Sequence, residues 1–170
     1  MGESLTLQDT TIATVTAFGL LNRAFFNNEL PVPTFETGVY VQSDGTYLCG
    51  VYLRPNEHPD YPNHTILVSP VGALSLVAQG VCETWQIAIV DTLLHEMVHY
   101  YDSINGVVDT DENGYHNEAF RDAATRHGLD CEHREESGWA ATGISLLGWL
   151  TIDDEITDNE ADTLDLWDFI

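Results

Sequence analysis

The stretch Asp91-Thr-Leu-Leu-His95-Glu96-Met-Val-His99-Tyr-Tyr-Asp102 holds the side chains of this sequence best suited to chemistry. On a helix, four residues turn through about 400°, so His95 and His99 project from one face, a turn apart. Imidazoles placed this way can share one tetrahedral Zn²⁺ at metal–nitrogen distances of about 2.0–2.1 Å. Glu96 lies beside the pair, within reach of the metal's open position, where a carboxylate can take a proton from bound water. His-Glu-x-x-His on a helix is thus a hypothesis of zinc-dependent hydrolysis, with His95 and His99 as metal ligands and Glu96 as catalytic base.

The element that must position them is written into the same stretch. Ile87, Val90, Leu94, Met97 and Tyr101 follow a 3-4-3-4 spacing, and Ile89, Leu93 and Tyr100 widen the apolar arc. The polar arc left over is Asp91, His95, His99 and Asp102. Burying such an arc is costly unless something binds it, which favours ligation over satisfied core histidines. The helix is expected over roughly residues 83–103. Asp91 and Asp102 are candidates for orienting the imidazoles from behind, though a solvated helix acid is the commoner role for each.

Catalytic zinc usually has three protein ligands and one open position. His116 is the better-placed third ligand, following a turn-rich loop and preceding the Asn117 cap of the next helix. Glu118 is the alternative, although a first-turn acid is commonly there for the helix dipole. His58, His64, His127 and His133 have no partner at ligand spacing. Tyr100, Tyr101 and Tyr115 are candidates for stabilising an oxyanion, against a commoner role in core or rim.

Along the chain, Asp9 can cap a first helix running to about Asn27, ended by Pro31 and Pro33. Two β-rich runs, Phe35–Gln42 and Thr46–Leu53, flank Ser43-Asp44-Gly45 and read as a hairpin. A third strand is expected over His64–Ser69, stopped by Pro70, then a short helix over 71–80 closed by Gly80. A further helix starts after Asn117 and ends before Gly128. Leu129–His133 and Ile144–Ile152 are expected as short strands or extended arms, and 153–170 as an acidic tail, disordered to about Asp162. The fold class expected is α+β: helices on a small, mainly antiparallel three-strand sheet, in one domain over residues 1–152.

Charge narrows the partners. The chain has 28 acidic residues against five arginines, with no lysine and a formal net charge of −23. Such a surface repels nucleic acid and anionic lipid. Solubility is its plainest explanation, and adaptation to a salty cytoplasm another. Cys49, Cys82 and Cys131, odd in number and without a C-x-x-C pair, read as reduced thiols. There is no basic-then-apolar leader and no run long enough to span a bilayer. A soluble, cytoplasmic monomer is expected, from a virus-encoded or halophilic source.

Two histidine motifs together resemble those of the SprT-like zinc metallopeptidase domain: Thr92-Leu-Leu-His95-Glu-Met-Val-His99, and Gly114-Tyr-His116-Asn-Glu-Ala-Phe120 with a short helix ending His127-Gly128-Leu129. Phe25-Phe26-Asn-Asn-Glu-Leu30-Pro31 and Gly138-Trp139 are similar to the family's flanking features, so the likeness covers about residues 8–150. The resemblance implies a zincin-like fold, one catalytic Zn²⁺ on His95, His99 and His116, Glu96 as general base, and a protein or peptide substrate. The chain departs from several members in lacking a Cys-rich zinc ribbon or basic DNA-binding segment, which sets direct nucleic-acid recruitment aside. The alternative function is an acidic decoy that occupies a basic, nucleic-acid-binding partner, with zinc purely structural.

Overall fold

The computed structural model describes residues 6–42 and 44–158. Among the described residues, five helices and two small sheets make an α+β fold, with α1 (Leu7–Phe26), β1 (Thr34–Thr37), β2 (Gly50–Leu53), β3 (Thr65–Val68) and α2 (Pro70–Ala78) in its first half. The second half holds α3 (Trp85–Ile104), α4 (Glu118–Arg126), β4 (Leu129–Arg134), β5 (Gly138–Ile144) and α5 (Leu146–Asp158). Helix α3 is the hub, packed on α1, α2, α4 and the β2–β3 edge of the sheet. Leu93, Leu94, Met97 and Val98 are wholly buried along it, as the apolar spacing requires.

Local chemistry sets the ends of the helices. Thr6, rather than Asp9, caps α1: its Oγ1 accepts the Asp9 N–H, and the Asp9 carboxylate accepts the Thr6 N–H in return. Asn27, in the left-handed region at φ 53°, ends that helix. The Asn22 side chain then ties the exit loop down, bonding both N–H and C=O of Leu30. Ser69, Thr84 and Asn117 cap α2, α3 and α4 with side-chain oxygens.

The sheet corrects the expected hairpin between residues 35–42 and 46–53. Its order is β1-β3-β2, with β2 antiparallel to β3 but β1 parallel to it. Residues 40–48 instead close a small separate hairpin through Leu48 N–H to Tyr40 O (3.0 Å) and Gln42 N–H to Thr46 O (2.8 Å). Ser43 lies outside the described residues. Thr65-Ile-Leu-Val68 is buried on both faces and so must take the centre, leaving the half-exposed β1 and β2 as edges. The antiparallel character expected of the sheet holds for β2–β3 and for the separate β4–β5 hairpin.

The C-terminal region differs most. Ile144–Ile152 is not an extended arm. Residues 138–144 form β5, and Ser145 Oγ accepts the Gly148 N–H to start α5. That helix runs through the expected 152/153 boundary to Asp158, burying Ile152 and Ile156 against α1 and pairing Glu155 with Arg23 at 2.8 Å. The rest of the expected tail, including Leu164, Trp167 and Phe169, lies outside the described residues. Among the described residues no helix is long and apolar enough to cross a membrane, and all three cysteines are free.

Candidate metal centre

Three elements converge on one point. Helix α3 presents His95 and His99 one turn apart, with Nε2 atoms 3.1 Å from each other. The loop 105–117 returns the chain so that His116 Nε2 lies 3.1 Å from His99 Nε2. One ligand atom from each of the three lies within 4.8 Å of the others. Tetrahedral zinc with bonds of about 2.05 Å would set its nitrogens about 3.3 Å apart, so the spacing suits a shared metal ion. Phe120, wholly buried on α4, backs all three rings at centroid distances of 4.2–4.9 Å.

His116 is held by backbone pairing. Its N–H donates to Ser137 O (3.0 Å), and its carbonyl accepts the Trp139 N–H (3.1 Å). Gly138 makes that approach possible: at φ +74°, a Cβ there would stand 2.1 Å from the His116 carbonyl oxygen. The Gly138-Trp139 pair singled out in the sequence therefore anchors the third histidine. In the loop itself, Asp111 Oδ1 accepts the N–H groups of Asn113 and Tyr115, folding the turn that delivers it.

Glu118 does not join the cluster. Its side chain is 80% exposed and 3.7 Å from Arg121. Nor do Asp91 and Asp102 orient the imidazoles. Asp91 accepts the Ile144 N–H, and Asp102 is buried with Oδ2 lacking a hydrogen-bond partner. The orienting group is Asp109, fully buried, with Oδ2 2.5 Å from His99 Nδ1 and Oδ1 3.5 Å from Arg54. Sequence reasoning missed it because it shares a loop with Asp111 and Glu112, and spacing does not rank three nearby acids. The only available signal was its position behind Val107-Val108, at the apolar end of the loop.

The other histidines are occupied elsewhere. His64 Nδ1 lies 2.6 Å from the Tyr52 hydroxyl, His127 Nδ1 2.8 Å from Phe25 O, and His133 Nε2 3.1 Å from the Tyr115 hydroxyl. His58 pairs with Asp60 at the surface. Tyr100 packs in the core, and Tyr101 packs against Phe26 and His127, so neither they nor Tyr115 line the metal-side cavity.

Burial first, and then the charge of His99, hold His95 well below the ordinary histidine range; the same causes bring His116 down to about 4. Both are neutral near pH 7 and offer lone pairs. Burial also pulls His99 down, but the Asp109 hydrogen bond and the charges of Glu96, Asp109 and Asp102 outweigh it and leave a net rise. With its Nδ1–H given to Asp109, His99 turns its Nε2 lone pair toward the other two. In the absence of a metal, a proton on His99 Nε2 can bridge to the other two nitrogens; a cation bound at the same point takes that proton's place and accepts all three lone pairs, so the donor set fits a metal ion. His116 Nδ1 is buried without a partner, so backbone and Phe120 contacts fix that ring.

Glu96 is buried next to the cluster, and burial pushes its carboxyl up to about 7, partly offset by His99 and by the Tyr52 N–H. That N–H, on edge strand β2, donates to Glu96 Oε2 at 2.8 Å. The strand comes this close through Gly50, where a Cβ would be 2.5 Å from Thr92 Cγ2 and 3.1 Å from Glu96 Cγ. A cavity of about 870 Å³ opens over the histidines between β2 and the 106–114 loop. No protein-family model, no curated protein and no solved structure matches the chain.

Proposed function

We propose that this chain is a zinc-dependent metallopeptidase of the SprT-like kind, zincin-like in fold, that hydrolyses peptide bonds. One catalytic Zn²⁺ sits on His95, His99 and His116, and Glu96 is the general base. The observation that supports this most is a conjunction: three Nε2 atoms meet at one point, and the buried carboxyl of Glu96 faces the same cavity. A set of three imidazoles without thiolate leaves one position open, the pattern of catalytic rather than structural zinc. The paired histidine motifs, with their resemblance to the SprT-like domain, support the same chemistry.

Zinc held there supplies Lewis acidity, polarising a carbonyl and bringing the pKa of a bound water from 15.7 toward about 7. The chain's own residues do the rest. Asp109 keeps His99 in the tautomer that presents Nε2. Glu96, with its carboxyl near 7, is matched to take a proton from water and return it to the leaving amine near neutral pH. Among the described residues no strand pairs with the outer edge of β2, where an extended peptide can add as a further strand. A peptide there would take the Tyr52 N–H and release the Glu96 carboxylate. Protein or peptide is the substrate class, since a net charge of −23 opposes contact with phosphate backbones.

Casein hydrolysis by zinc-loaded wild type and Glu96→Gln tests the mechanism. Loss of general-base catalysis lowers the rate by about 10²–10⁴-fold. Equal rates in the two proteins would reject Glu96 as the base.

A further inference from the structure

A second cavity, about 440 Å³, abuts the metal centre and is not used by the mechanism above. It shares Gly50, His95 and Glu96 with the larger cleft, so whatever fills it lies beside His95 and Glu96. Its size is in the range of ligand pockets, about 300–1,000 Å³. Leu76, Val81, Leu129 and Ala141 give it apolar walls. Helix α3 lines it with two carboxylates: Glu96, shared with the larger cleft, and Asp91, a turn before His95 on the same face and absent from that cleft.

Asp91 is only partly employed by the fold. Oδ1 accepts the Ile144 N–H at 3.1 Å, whereas the contact of Oδ2 is the Cys82 thiol at 3.8 Å, a weak donor. Gly143, also lining the cavity, leaves that oxygen approachable: a Cβ there would lie 3.4 Å from Oδ2. Burying a carboxylate among aliphatic walls is costly unless a donor meets it. A long side chain with an apolar stem and a cationic head satisfies both surfaces at once.

Building on the peptidase reading, we propose that this cavity is a specificity subsite for a lysine or arginine side chain next to the scissile bond, with Asp91 as its counter-charge. An aliphatic guest would fill the walls and leave Asp91 desolvated. An acidic guest would be repelled by Asp91 and Glu96 together. Arg134 also lines the cavity, but its guanidinium is half exposed and bound to Glu132 at 2.6 Å, so its charge is already matched. The overall negative field of the chain draws basic peptides toward the same place.

Two measurements test the subsite separately from the peptidase reading. In the first, casein cut by the zinc-loaded wild type is mapped by mass spectrometry, and kcat/KM is compared for peptides carrying lysine or norleucine at the preferred position. Cuts should concentrate beside Lys and Arg, with a lysine-to-norleucine ratio of at least about tenfold that falls to near one in Asp91→Asn. No basic preference in the wild type, or an unchanged ratio in Asp91→Asn, overturns the subsite. In the second, fluorescein-labelled lysine and norleucine peptides are titrated into zinc-loaded Glu96→Gln, with and without Asp91→Asn. Tighter lysine binding that disappears with Asp91→Asn upholds the subsite even where wild type fails to cut casein and the peptidase reading falls. Equal binding of the two peptides overturns it even where casein is cut.

Discussion

With its carboxylate buried and 2.5 Å from His99 Nδ1, Asp109 favours a proton on that nitrogen and leaves Nε2 facing His95 and His116, where a metal ion would be held. Such outer partners are worth about 10–100-fold in metal affinity. Asp109→Asn should weaken zinc binding by about tenfold and Asp109→Ala by up to about a hundredfold, read by competition with a chromogenic chelator; unchanged affinity would remove Asp109 from this role. Asp102, three residues beyond His99, behaves differently. Burial, reinforced by the charge of Asp109, pushes its carboxyl up to about 6 from 3.8. The folded protein therefore holds Asp102 protonated to higher pH than the unfolded chain does. Its stabilising share is intact below about 3.8 and is lost as pH rises through about 6. Asparagine suffers no such loss. In metal-free protein, Asp102→Asn should gain about 1–2 kcal/mol over wild type at pH 8 and little at pH 4, measured by urea unfolding. A gain of equal size at both pH values would show that ionisation is not its cause.

Among the elements, α5 was the least legible and is the simplest to test. Ile156 on it is 4% exposed, and Ile→Ala at such a site costs about 2–5 kcal/mol. Ile156→Ala should lower the melting temperature accordingly; no change would return residues 153–158 to the acidic tail read from the sequence. That helix hid because Leu146, Leu147 and Leu150 are exposed, so its apolar residues do not mark one face, and its buried face continues into an acid-rich run. Helices α3 and α4 were legible for the opposite reason: apolar spacing marks α3, and the Asn117 cap with Gly128 beyond the end marks α4. Strand pairing was not, since it depends on which strand is buried on both faces. The Asp44-Gly45 signal marked a real turn but did not state which strands become neighbours in the sheet. At the site, His95 and His99 followed from helical periodicity and His116 from its place before a cap. Asp109 required knowledge of burial, which a loop sequence does not carry.

Taken whole, the molecule uses its fold to bring together groups that sequence separates. Helix α3 supplies two histidines and Glu96, and the 105–117 loop supplies His116 and Asp109. Helix α4 backs the rings with Phe120, the β4–β5 hairpin pins His116, and edge strand β2 meets Glu96 from the other side. The surplus of carboxylates is spread over the chain, yet Glu118, the acid nearest the third ligand in sequence, is turned to solvent. The centre thus rests on three imidazoles and no exposed carboxylate. Metal analysis of purified wild type, His116→Ala and Glu118→Ala by mass spectrometry tests this most directly. One zinc per chain in wild type and Glu118→Ala, with none retained by His116→Ala, is the expected result. Full zinc in His116→Ala, or none in wild type, would contradict it.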